Sequence, residues 1–92
     1  LDLAVNAALL SAFKTSGQRC VSAGRVLVQR KLLHQFEHDL IERVAGLTFA
    51  DPFTKGAFAG PLINQASVDK VLKYNEFAKQ EKAHVLFDAG RL

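Results

Sequence analysis

Apolar residues between Asp2 and Phe13 fall on nearly every side of a helical projection, with Asn6 and Ser11 the clear polar interruptions. Ala4, Ala7, Ala8, Leu9 and Leu10 are good helix formers and Asp2 is a suitable N-cap. The segment is therefore expected to be a helix buried on several sides. Gly17 breaks it, and the polar run Lys14-Thr15-Ser16-Gly17-Gln18 leads to Cys20. In 25–29 the residues Val26, Leu27 and Val28 are consecutive rather than alternating, the pattern of a strand covered on both faces. Leu33, Phe36, Leu40 and Val44 recur at three- and four-residue steps and predict a second helix over 32–45, with Gly46 as its stop. The stretch 49–63 holds both prolines and two glycines and reads as a long loop. Asn64 is placed to cap a third helix over 65–82, with Val68, Val71, Leu72 and Ala78 on one side. A second short strand is expected at 84–87, closed by Asp88-Ala89-Gly90.

The expected order is helix, strand, helix, loop, helix, strand, which points to α/β architecture with a parallel pair. Two strands make a poor sheet, and a strand buried on both faces needs neighbours. The chain thus reads as one partial domain, 1–92, built to hide surfaces against material it does not contain. The absence of methionine and the opening Leu1 add to the expectation of an internal segment or processed fragment.

Composition narrows the function classes. Half the residues are apolar (49%) and 23% are charged, as in an ordinary globular domain. The net charge of +3 is spread along the chain rather than gathered in a stripe, which argues against nucleic-acid binding. A single cysteine excludes an internal disulfide framework. No apolar run approaches the roughly 20 residues of a membrane span, and no signal-peptide pattern opens the chain. Cytoplasm or an organelle matrix is the expected location.

A lone cysteine is more often a small buried hydrophobe than a nucleophile. Cys20, however, ends a polar loop ahead of a predicted buried strand, with Arg19 adjacent and Arg25 near in sequence. Nearby cations favour the thiolate, which is the reactive form. The segment Ser11-Ala12-Phe13-Lys14-Thr15-Ser16-Gly17-Gln18-Arg19-Cys20 closely resembles the active-site segment of aldehyde dehydrogenases, whose core is Gly-Gln-x-Cys. The similarity continues through Gly24-Arg25-Val26-Leu27-Val28-Gln29 and through Asp51-Pro52, where Ala50 replaces the family's glycine. It then takes in Gly60-Pro61-Leu62-Ile63, the third helix and the Val85-Leu86-Phe87 ending, where Ala89-Gly90 stands for a double glycine.

The resemblance implies a central part of an aldehyde dehydrogenase catalytic domain. In that family a cysteine thiolate, here Cys20, attacks the aldehyde carbon, and a thiohemiacetal and then a thioester form on it. NAD or NADP accepts hydride, and water releases the acid. One oxyanion donor would be the backbone N–H of Cys20, the other an asparagine side chain outside this chain. The family's general-base glutamate, its nucleotide-binding domain and a glutamate that holds the nicotinamide ribose find no match here. Lys70 falls where a lysine contacts the adenosine ribose, while the partner glutamine position reads Ser67. The residues from Lys14 to Cys20 resemble members acting on semialdehydes and related short polar aldehydes. The implied partners are the remainder of the catalytic domain and, in the parent enzyme, further copies in a homo-oligomer. The isolated chain is expected to be inactive.

Other features have simpler readings. His34 and His38 lie four residues apart with Glu42 one turn on, a spacing that can serve a metal, but a polar helix face accounts for them and no metal is expected. His84 and Tyr74 read as structural, and Phe49, Phe53 and Phe58 as anchors for the loop. Two other classes of function compete with the enzyme fragment. One is an interaction module with exposed apolar surface, the other a redox sensor built on Cys20.

Overall fold

The computed structural model describes residues 1–88 and divides the chain into two compact units, 1–61 and 62–92. In the first unit, α1 spans Asp2–Phe13 and α2 spans Leu33–Ala45; in the second, α3 spans Gln65–Gln80. Short 3-10 turns at Lys14–Gly17 and Arg30–Leu32 follow α1 and precede α2.

The bounds of α1 match the hydrophobic pattern, but its burial does not. Only Val5 and Leu9 of α1 are buried, and Leu3 is 82% exposed. Leu1, not Asp2, holds the N-cap position. Asp2 instead uses its carboxylate in an ion pair with Arg43 of α2, whose Nη1 also donates to Asn6 Oδ1 at 2.6 Å and to the Asp2 carbonyl at 3.3 Å. Polar bonds to one guanidinium therefore join α1 and α2, while Val5, Leu9 and Phe36 are removed from water.

Neither predicted strand forms among the described residues. Residues 25–29 are free of regular structure, with Leu27 98% exposed, and 83–88 are likewise without secondary structure. The physical reason is pairing: a strand's backbone N–H and C=O groups need a second strand, and neither stretch is paired in that way among the described residues. Among the described residues the expected helix–strand alternation does not form, and three α-helices are joined by loops and short 3-10 turns. Ala89 and Gly90, expected to close the second strand, lie outside the described residues.

The predicted loop acquires an internal framework. Phe49 and Ala59 form an isolated parallel bridge, with Ala50 N–H donating to the Ala59 carbonyl at 3.1 Å and Phe58 N–H to the Thr48 carbonyl at 2.6 Å. The Phe49 and Phe58 rings meet edge to face, 6.1 Å apart. Phe53, expected to anchor the loop, is 98% exposed and anchors nothing here. Asp51 stabilises the bend by accepting the Phe53 N–H on its carboxylate at 2.9 Å. A side chain on Gly60 would press on Pro52 Cγ at 3.2 Å, so the close approach there depends on glycine.

In the second unit, the Asn64 side chain accepts the Ser67 N–H at 2.8 Å, the N-cap that the sequence pointed to. The helix stops two residues before the expected end. Lys82 adopts a left-handed φ of 60°, its N–H returns to the Lys79 carbonyl, and the Ala83 N–H returns to the Ala78 carbonyl. These two bonds are a Schellman ending, made here without the usual glycine.

Along the exposed face of α2, His38 Nδ1 lies 3.3 Å from Asp39 Oδ1, and Gln35 Nε2 donates to the same oxygen at 2.8 Å. Hydrogen bonds from His38 first, then Gln35, hold the Asp39 carboxyl below the usual carboxylate range. A lowered folded value makes the charged form favour folding above the ordinary carboxylate range. That contribution disappears as pH falls through the lowered value, below about pH 4. His38→Ala is therefore expected to move the Asp39 titration upward in an NMR pH series, and an unmoved titration contradicts the pairing. Asn64→Ala is expected to lower stability by about 1 kcal/mol, read from a denaturant midpoint, whereas Asn64→Asp retains the cap and the midpoint.

Candidate active site

The chain leaves α1 by an uncommon route. Thr15, Ser16 and Gly17 have φ values of 58°, 55° and 73°, three successive residues in the left-handed region. Only glycine enters that region freely, and for a β-branched threonine it is a true outlier. Gly17 has a second reason to be glycine, since a Cβ there would sit 3.2 Å from the Ala12 carbonyl oxygen.

Local bonds fasten the reversal. The Thr15 carbonyl accepts the Gln18 backbone N–H at 3.0 Å and the Gln18 side-chain Nε2 at 3.2 Å. Arg19 Nε donates to Thr15 Oγ1 at 2.9 Å. Two bonds reach the neighbouring loop: Lys14 Nζ donates to the Phe58 carbonyl at 3.1 Å, and Ser16 Oγ donates to the Gly60 carbonyl at 2.5 Å. The Lys14 ammonium also stands over the Phe58 ring, 4.7 Å from its centroid.

Cys20 occupies the second position of a turn running from Arg19 to Ser22. The Ser22 N–H donates to the Arg19 carbonyl at 3.1 Å, while the Arg19 N–H donates to Ser22 Oγ at 3.2 Å. The Ala23 N–H then returns to the Ser11 carbonyl at 3.2 Å and ties the end of the turn to α1. The Cys20 thiol is free and exposed, and its backbone N–H donates to no group among the described residues. This arrangement places an exposed thiol beside a hydrogen-bond donor that has no partner among the described residues. The guanidinium of Arg19, adjacent in sequence, is directed to Thr15, and Arg25 is exposed.

The remaining candidates belong to other segments of the chain. Lys70 is an exposed residue of α3 in the second unit. The metal-type spacing gathers differently from expectation: ligand atoms of His38, Asp39 and Glu42 lie within 4.8 Å of one another, and His34 is not among them. Asp39, which the four-residue spacing passes over, joins through its hydrogen bond with His38. Tyr74 packs edge to face on Phe77 at 5.6 Å, and His84 is exposed.

The hollow of the second unit is too small to hold a whole nicotinamide dinucleotide. The hollow in the second unit, about 130 Å³, is lined by Asn75, Ala78, Lys79, Val85, Phe87 and Asp88, not by Lys70. Ligand clefts run to about 300 Å³ or more. Lys70 is an exposed cation outside that hollow.

Comparison with known proteins fixes the family. The profile described as the aldehyde dehydrogenase family matches residues 1–91. The chain is 32% identical over 92 residues to alpha-ketoglutaric semialdehyde dehydrogenase of Bacillus subtilis (strain 168), covering 100% of this chain and 19% of that protein. It is 40% identical over 91 residues to the mitochondrial succinate-semialdehyde dehydrogenase of Arabidopsis thaliana, covering 99% and 17% respectively. With betaine aldehyde dehydrogenase of Sinorhizobium fredii (strain NBRC 101917 / NGR234) the identity is 37%, over 98% of this chain and 18% of the relative. The crystal structure of HpcC from Thermus thermophilus is similar at a TM-score of 0.83 and 30% identity, over 87% of this chain and 16% of that one. The chain therefore spans less than a fifth of the length of these relatives. With a profile match running from the first residue to the last but one, the chain belongs to the aldehyde dehydrogenase family.

Proposed function

We propose that the protein oxidises an aldehyde to a carboxylic acid with NAD or NADP, by way of a thiohemiacetal and a thioester on Cys20. The observation that carries this reading is the exposed Cys20 thiol on a fastened turn, next to a backbone N–H with no partner among the described residues. The Cys20 thiolate sulfur attacks the carbonyl carbon, a C–S bond forms, and the π electron pair moves onto oxygen. Thiolates suit this step because they are intrinsically strong nucleophiles. The Cys20 N–H is the donor we assign to the developing oxyanion; a well-placed donor of this kind contributes about 3 to 4 kcal/mol.

The cofactor supplies the hydride acceptor, and Lys70 is the one residue of this chain assigned to it, against the ribose. The substrate class is a short polar aldehyde, a semialdehyde above all. Two relatives carry semialdehydes in their names, and the Lys14–Cys20 segment is similar to members of that kind. The partners we assign are the remainder of a catalytic domain and further copies of the protein. The exposed Leu3, Leu27 and Ile63 support such covering surfaces. No helix among the described residues is long and apolar enough to cross a membrane. We place the protein in the cytoplasm or an organelle matrix; one relative is named as mitochondrial. The 92 residues alone are proposed to be inactive.

Cys20→Ala in the full-length protein is expected to reduce semialdehyde-dependent formation of NADH or NADPH by at least about a thousandfold, followed by absorbance. Retention of turnover by that variant rejects the assignment. If instead the wild-type protein oxidises no aldehyde while Cys20 is reversibly sulfenylated by peroxide, the redox-sensor reading replaces it.

A further inference from the structure

We infer that Lys14, together with Ser16, is a positioning residue for Cys20, acting by clamping the strained reversal after α1 onto the loop that ends at Gly60; this rests on the proposed role of Cys20 as nucleophile. Lys14 reaches Phe58 and Ser16 reaches Gly60 at the same sequence offset of 44. The two segments thus run side by side in one register, joined by side-chain donors. Such a junction suits a backbone whose left-handed residues cannot extend a regular ladder.

The receiving loop is a firm anchor. Its own bonds close Phe58 onto Thr48 and Ala50 onto Ala59, the Phe58 ring abuts Phe49, and Ala59 is buried. The strained side is connected directly to the nucleophile. Thr15 accepts bonds from both Gln18 and Arg19, and Arg19 opens the turn that carries Cys20. A sequence Lys14–Thr15–Arg19–Cys20 therefore links the clamp to the sulfur through one hydrogen bond and short stretches of backbone. Left-handed backbone at non-glycine residues persists only where the surroundings over-determine it. Releasing the clamp lets Thr15 and Ser16 relax and carries Cys20 off its line of attack. Misplacement of a reacting group by about 1 Å can cost on the order of a hundredfold in rate. The clamp acts on the line of attack, so its loss is read in kcat rather than in KM.

The test uses steady-state kinetics of the full-length enzyme with a semialdehyde and NAD or NADP. Lys14→Met is expected to lower kcat by about ten- to a hundredfold while KM stays within about twofold. Lys14→Arg, which keeps a cation for the Phe58 ring and a donor for its carbonyl, is expected to restore most of kcat. Phe58→Leu keeps the carbonyl and removes the ring, so it should lower kcat less, and adding it to Lys14→Met should lower kcat no further. Ser16→Ala removes one hydroxyl and is read in the same assay if Lys14→Met does not accumulate as folded enzyme; a fall in kcat at constant KM supports the clamp. An unchanged kcat in Lys14→Met or Ser16→Ala overturns the inference, as does a Lys14→Arg enzyme as slow as Lys14→Met. Cys20→Ala is measured alongside. If it is inactive while the clamp variants are normal, only this inference fails, whereas turnover by Cys20→Ala overturns both readings.

Discussion

Leaving α1 takes three successive residues through the left-handed region, and Thr15 and Ser16 carry side chains that disfavour it by about 1–2 kcal/mol each. That conformation exists because its surroundings hold it: Gln18 and Arg19 on the near side, Phe58 and Gly60 on the far side. Cys20 sits three residues beyond the reversal, so the position of the thiol depends on that constraint. The turn from Arg19 to Ser22 and the return of Ala23 to Ser11 complete the enclosure of the loop. Even so, Cys20 remains open to solvent. A thiol held by backbone geometry but not buried suits the nucleophilic role proposed for Cys20.

The rest of the first unit shows what such a loop requires of its scaffold. Apolar residues surround α1, yet only Val5 and Leu9 are withdrawn from water. The stretch 25–29 forms no strand among the described residues and leaves Leu27 98% exposed. A helix apolar on nearly every side and an aliphatic segment without strand pairing both call for further layers of structure. Under the proposed function the remainder of the catalytic domain supplies those layers. The chain's share of its relatives, below a fifth, is in keeping with that reading.

Local signals in the sequence suffice for the course of α2 and the start of α3, though not for the N-cap of α1, which falls to Leu1 and not to Asp2. The period of Leu33, Phe36, Leu40 and Val44 marks α2, and Asn64 marks the start of α3 because a cap is a bond between near neighbours. Lys82 hid the end of α3, since its left-handed conformation belongs by preference to glycine. The hydrophobic run 26–28 carries strand propensity, but pairing is non-local and no partner is present among the described residues. For the site, Gly17, Gln18 and Cys20 are legible as a motif. The contacts of Lys14 with Phe58 and of Ser16 with Gly60 are not, because nothing in one sequence relates residues 44 positions apart.

The central claim is a covalent bond between the substrate's carbonyl carbon and one sulfur. The direct measurement is peptide mass spectrometry of the full-length enzyme, acid-quenched during turnover of a semialdehyde. The account predicts an acyl group on the peptide containing Cys20, absent when the cofactor is withheld. Turnover with no acyl group on that peptide, or with the acyl group on another residue, contradicts it.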